Sequence, residues 1–248
     1  MHMSLAEIKR ASAEQFLLEK ENSAGVSETS PNSITEMIRQ FVSTFATDAP
    51  DFIPVENDPH GLYGWCSDGV HEKVKADGGK PVFGWTIWEW PCVLLTAEFH
   101  CVWQDASGKL IDITPKPKGE QSVLFVPDSA YGPDFDFDKR PLNRRMSIFV
   151  GKDKMAQVQA TKSQLQGAKL RYEEGRAAKA GLSLEDWLLS KIPDEPLKVA
   201  IEEMIVACNE HEAYFDTFGP YGGFVPDEKL IKLIKRRIST QDKMKKLL

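Results

Sequence analysis

The segment AEFHCVWQDASGKLIDITP, residues 97–115, constrains the fold more than any other part of this chain. Two runs dense in apolar residues flank Asp105-Ala106-Ser107-Gly108. Asp at the first position and Gly at the fourth suit a type I turn followed by a glycine in the left-handed region, so the segment reads as a β-hairpin. That turn pairs Asp105 with Lys109. Counting outward in the same register sets Gln104 opposite Leu110 and Trp103 opposite Ile111. Because strand side chains alternate, the register also sorts the hairpin into two faces. Phe99, Cys101, Trp103, Ile111 and Ile113 make one apolar face. His100 and Asp112 share the other, diagonal to each other and within hydrogen-bond reach across the strands.

A carboxylate beside an imidazole sets its tautomer, orients its ring and stabilises the imidazolium, which is what a general base needs from a third group. The pair lacks a nucleophile. Upstream, GLYGWCSDGVHEKV passes from loop chemistry into a helical pattern at Cys66. A thiolate at a helix start is favoured by the dipole and by unpaired backbone N–H groups, and the same donors suit a developing oxyanion. Cys66, His100 and Asp112 are therefore the candidate nucleophile, base and orienting group. Trp65 and Trp88 are candidate substrate contacts.

Residues 4–20 and 33–45 read as helices, the second with Ser33 as its cap and Glu36 three residues on. SAGVSETSPN between them reads as a mobile linker. A Pro-rich approach leads to a helix from about Cys66 to Lys75, closed by Gly78-Gly79, and then to the strand-like runs PVFGWTIWEW, CVLLTAEFHCVWQ, KLIDITP and SVLFVPD as an antiparallel meander. DSAYGPDFDFDKRPLNR reads as a long loop suited to act as a lid. From Asp153 the chain is helical: KDKMAQVQATKSQLQGAKLRYEEGRAAKA, then SLEDWLLSKI, then EPLKVAIEEMIVACNEHEAYFD. A loop GPYGGFVP precedes a last helix from about Asp227. This order predicts an α+β fold in three parts: an N-terminal helical segment (1–47), an α+β core (48–150) and a C-terminal helical region (151–248).

The order of Cys at a helix start, connecting strand, His strand and Asp strand resembles the transglutaminase-like branch of the papain-like cysteine enzymes. GWCSDGV is similar to that family's Cys segment, GGKPVFGWTI to its connecting strand, and HCVWQ and GKLIDITP to its His and Asp strands. The resemblance runs from about Leu62 to Pro115. It implies a papain-like core of a helix plus antiparallel sheet, with Cys66 as nucleophile, His100 as base and acid, and Asp112 as the orienting group. It further implies acyl transfer on an amide or ester (peptidase, deamidase or transglutaminase), a protein or peptide substrate, and no cofactor. The family often has Pro before Thr after its Asp, whereas Thr114 precedes Pro115 here. GWTIWEWP through DITPKP also resembles a group of uncharacterised bacterial proteins, some with a SEC-C zinc motif, a cysteine-rich segment this sequence does not carry.

The 248 residues, 42% hydrophobic and 27% charged, suffice for a sizeable core. A net charge of -6 argues against nucleic acid as the main partner, since phosphate binding draws on a positive field. No run approaches the roughly 18 apolar residues of a membrane span, and the start MHMSLAEIKR lacks the basic-then-apolar order of a secretory signal, so a cytoplasmic protein is expected. Four cysteines without a CxxC pair read as free thiols, with Cys92, Cys101 and Cys208 as core residues. A zinc site drawn from His60, Cys66, His71 and His100 is the metal alternative, but its spacings match no usual zinc motif, and no metal is expected. The alternative from a different class is a non-catalytic binding module whose helices are the working surface. The basic tail KLIKLIKRRISTQDKMKKLL reads as the solvated face of a packed helix.

Overall fold

Side-chain caps set most of the helix starts in the computed structural model, which describes residues 4–22, 28–218 and 225–248. Helix α1 (Leu5–Glu21) opens on Ser4 in a full capping box with Glu7. Helix α2 (Glu36–Val42) opens on Thr35, whose hydroxyl accepts from the backbone N–H of Ile38. The cap is therefore Thr35 rather than Ser33, and a start there gathers Ile38, Phe41 and Val42 on one buried stripe. Part of the expected linker is anchored instead of mobile. Thr29 and Glu89 exchange both backbone hydrogen bonds at 2.9 and 2.8 Å, and the Thr96 hydroxyl donates to Glu28. Residues 23–27 of that stretch lie outside the described residues.

The strands are β1 (Asp51–Pro54), β2 (Lys80–Trp90), β3 (Leu94–Gln104), β4 (Leu110–Ile111), β5 (Ser122–Pro127) and β6 (Arg144–Ser147), with helix α3 (Cys66–Asp77) between β1 and β2. They form one sheet in the order β1-β5-β2-β3-β4, with β6 beside β3, and every named strand pair is antiparallel. The fold is thus mixed helix and antiparallel sheet, as the α+β expectation holds. The meander covers only β2, β3 and β4. Strand β5 crosses back to pair with β2, and the unforeseen β1 pairs with β5. Strand β6 begins at Arg144, the last residue of the stretch read as a loop.

Past β4 the chain meets β1. Asp112 N–H donates to Pro54 O at 3.0 Å, Glu56 N–H donates to Asp112 O at 2.9 Å, and Val55 and Asp112 form a parallel bridge. Strand β1 therefore neighbours both β5 and the end of β4, which curls the sheet into a ring with an outer and an inner face. Phe83, Trp85, Phe99, Cys101, Ile113 and Val126 belong to the outer face, under α2 and α3. Ile53, Val102, Val123 and Phe125 fill the inner face. DSAYGPDFDFDKRPLNR is seated on the outer core: Tyr131 packs edge-on to Phe99 at 4.7 Å between ring centroids and Phe135 to Phe83 at 5.4 Å. The Trp85 indole N–H donates to Asp128 at 2.9 Å, which pins the start of that loop.

The C-terminal helices are α4 (Lys154–Gln164), α5 (Gly167–Ala180), α6 (Leu184–Ser190), α7 (Pro196–Phe215) and α8 (Glu228–Lys245). The first long helical run divides because Leu165 and Gln166 are extended. Ala200, Ile201 and Met204 of α7 cover Trp90, Val93 and Leu94 at one end of the β2–β3 hairpin, and Met244 of α8 joins them. Residues 219–224 of the expected GPYGGFVP loop lie outside the described residues. Among the described residues, no helix is long and apolar enough to cross a membrane.

Candidate functional site

Helix α3 starts without a side-chain cap. Its N-cap residue is Trp65, whose indole cannot accept a hydrogen bond and instead stacks on Phe16 of α1, at 5.9 Å and 4° between ring planes. The first-turn N–H groups of α3 thus lack the acceptor that Ser4 and Thr35 give their own helices. Cys66 is the first residue of α3, 7% exposed, and its apolar neighbours belong to the outer core with Val70.

The hairpin forms in the register its turn dictates. Asp105 N–H donates to Lys109 O at 3.0 Å, Gly108 has φ 91°, and the Asp105 carboxylate accepts from the N–H groups of Ser107 and Lys109. Trp103 then faces Ile111 and Gln104 faces Leu110. On the other face His100 Nε2 lies 3.1 Å from Asp112 Oδ2. His100 is 5% exposed and Asp112 0%. The sequence treats this face as the side away from the core; ring closure makes it a second core. Gly84 pairs with His100 on β2, and a Cβ there would stand 2.1 Å from Val126 O, so only glycine lets β5 come this close.

Lys116 completes the group and was not anticipated. Its Nζ lies 2.6 Å from the same Asp112 Oδ2, its side chain is 5% exposed, and it passes over the Trp88 ring at 5.8 Å. Thr114 N–H donates to Asp112 Oδ1 at 2.9 Å. The signal in the sequence was only a lysine four residues after the aspartate in DITPK. Outside a helix, that spacing does not say where a side chain points.

Burial opposes charge on His100, but the Asp112 carboxylate, with Cys66 acting in the same direction, outweighs it against the opposing charge of Lys116. The imidazolium is stabilised and the His100 pKa is pushed up to about 10. Burial likewise opposes the Asp112 anion, yet the charges and hydrogen bonds of His100 and Lys116 hold its carboxyl well below the usual range. Burial pushes the Cys101 thiol well up, and its neighbours Cys66 and Asp112 push it further. Cys66, His100, Cys101, Asp112 and Lys116 therefore belong to one electrostatic group, although among the described residues no hydrogen bond joins Cys66 to His100. With Nε2 committed to Asp112, Nδ1 is the ring nitrogen left to exchange a proton.

Of the tryptophans, Trp85 and Trp90 are core residues, whereas Trp88 is half-buried and its indole N–H donates to Glu98 at 2.7 Å. Cys101 is buried, but Cys92 is exposed in the β2–β3 turn with φ 63°, and Cys208 is half-buried. The apolar run around Cys92 hid a turn, in which Val93 N–H donates back to Trp90 O at 2.9 Å. His71 Nδ1 lies 2.6 Å from Ser67 O of its own helix, and among the described residues no three His, Cys, Asp or Glu side chains gather as metal ligands. The hydroxyls of Thr86 and Thr114 are buried without a partner. Comparison with protein-family models, with curated proteins and with solved structures finds no match.

Proposed function

We propose that the chain is a cysteine-dependent acyl-transfer enzyme on a papain-like, transglutaminase-like scaffold, acting on an amide or ester of a protein or peptide. The carrying observation is the buried His100–Asp112 pair, with the uncapped helix start at Cys66 inside the electrostatic field of His100. In this reading Cys66 Sγ attacks the carbonyl carbon while its proton resides on His100, and the α3 N–H groups receive the oxyanion. Collapse of the tetrahedral intermediate breaks the bond to the leaving group, which takes the proton from His100 and leaves a thioester on Cys66. Water or an amine then adds to the thioester, His100 accepts its proton, and the Cys66 sulfur departs. Asp112 orients His100 throughout, and Trp65 and Trp88 flank the substrate. The step needs no cofactor, and the reducing cytoplasm suits four free cysteines.

Alkylation with iodoacetamide near neutral pH, followed by mapping of the labelled thiol, tests this reading. Cys66 is expected to react at least about tenfold faster than the exposed Cys92 despite its burial, and His100→Ala is expected to remove that advantage. The apolar packing of Cys66 and its lack of a hydrogen bond to His100 favour the second reading, a binding module on the same scaffold. Labelling of Cys92 first, with Cys66 slow and indifferent to His100→Ala, selects it.

A further inference from the structure

We propose that Lys116 is a positioning residue of this site, which fixes the Asp112 carboxylate through the oxygen that His100 also uses and so limits how tightly the imidazolium is held. The proposal rests on the reading of His100 as the proton carrier. Asp112 Oδ2 receives Lys116 Nζ at 2.6 Å and His100 Nε2 at 3.1 Å, while Oδ1 is held by Thr114 N–H at 2.9 Å. The main chain of Asp112 is tied on both sides, its N–H to Pro54 at the end of β1 and its carbonyl to Glu56 two residues beyond. The carboxylate therefore has no freedom to turn away from the imidazole.

A carboxylate given wholly to one buried imidazole would hold its proton too well for delivery to a leaving group, because a pair in low dielectric attracts strongly. Lys116 divides that attraction. Its positive charge also opposes the imidazolium directly. The charged and titratable groups acting on His100 are Asp112 and Lys116 from the segment after β4, and Cys66 from α3. Cys101 adjoins it on β3, while the β2 and β5 residues in its row, Gly84 and Pro127, carry no charge. Nothing else in that row could substitute for the lysine. The Lys116 ammonium also lies over the Trp88 ring, 5.8 Å from its centroid.

The test reads His100 itself, so its outcome does not depend on turnover. In protein labelled at the histidine Cε1 carbon, the His100 signal is titrated by NMR in wild type, Lys116→Met, Lys116→Gln and Lys116→Arg. Lys116→Met and Lys116→Gln are expected to bind the His100 proton roughly tenfold more tightly than wild type, with Lys116→Arg close to wild type. The pH profile of Cys66 alkylation is expected to move its alkaline limb in the same direction. An unchanged or weakened His100 proton affinity in a folded Lys116→Met or Lys116→Gln protein overturns the proposal. So does failure of both to fold while Lys116→Arg folds, which would make Lys116 a stability residue alone. If Lys116→Met shifts His100 but Cys66 never outpaces Cys92, the positioning stands and the acyl-transfer reading falls.

Discussion

His100 and Asp112 meet on the inner face of a closed sheet, Nε2 to Oδ2 at 3.1 Å, both removed from water. A pair in that position has to be nearly complete. Charges taken out of water cost several kcal/mol each unless partners replace the lost solvation.

Asp112→Asn keeps the shape and removes the anion, leaving His100 and Lys116 with a neutral amide between them. The variant is expected to lose about 3–5 kcal/mol of stability, measured by urea denaturation at neutral pH. If the acyl-transfer reading is right, its Cys66 alkylation rate should also fall by about 10² to 10⁴, as for loss of an orienting carboxylate. A wild-type rate in the folded variant would remove Asp112 from the proposed chemistry.

Stability should fall as pH rises above the ordinary histidine value. The folded pKa of His100 is raised from 6.5 to about 10, so its contribution is full below pH 6.5 and is lost as pH rises toward about 10. Asp112 acts in the opposite sense. Its folded pKa is depressed, so its contribution is present above 3.8 and disappears as pH falls through the lowered value. Denaturation between pH 6 and 10 is expected to show a declining slope that flattens in His100→Gln. A rise over that window, or the same slope in the variant, would contradict the assignment.

Gly84 is the position where β2 and β5 approach beside His100. In Gly84→Ala the added methyl would meet Val126 O at 2.1 Å and Pro127 Cα at 2.9 Å, and neither backbone atom can swing away. Overpacking of this kind is expected to cost about 1–3 kcal/mol, seen as a lower denaturation midpoint. A neutral result would mean that β5 can leave β2 freely.

Thr86 is fully buried on β2 and its hydroxyl has no partner. Thr86→Val keeps the branched shape and removes the unsatisfied group, so stability is expected to rise by about 1 kcal/mol. The measurement is the denaturation midpoint at constant m-value. A fall instead would reveal a partner for the hydroxyl in solution.

Part of this arrangement is local and was legible in the residues. Asp105 and Gly108 set the turn, the turn set the register, and the register put His100 and Asp112 on one face. The helices read from residue 4 and from about Asp227 start there because Ser4 and Asp227 cap them, and a cap acts within a few residues of itself. Thr35 displaced Ser33 because both can cap, and only the start at Thr35 buries Ile38, Phe41 and Val42 together.

By itself, then, the sequence determined the hairpin register, most helix starts and the diagonal between His100 and Asp112. Those depend on turn geometry and on hydrogen bonds between near neighbours. The tertiary structure alone decided that the His100 face is an interior, because this needed β5 to enter between β1 and β2 and Asp112 to bridge Val55. It alone seated Lys116 on Asp112, brought the Cys66 helix into the field of His100, and turned Cys92 outward. Lys116 is only four residues from Asp112, but outside a helix that spacing does not set where its side chain points; the other two join residues far apart in the chain or reverse an apolar run at a turn, and neither residue type nor spacing encodes where such partners meet.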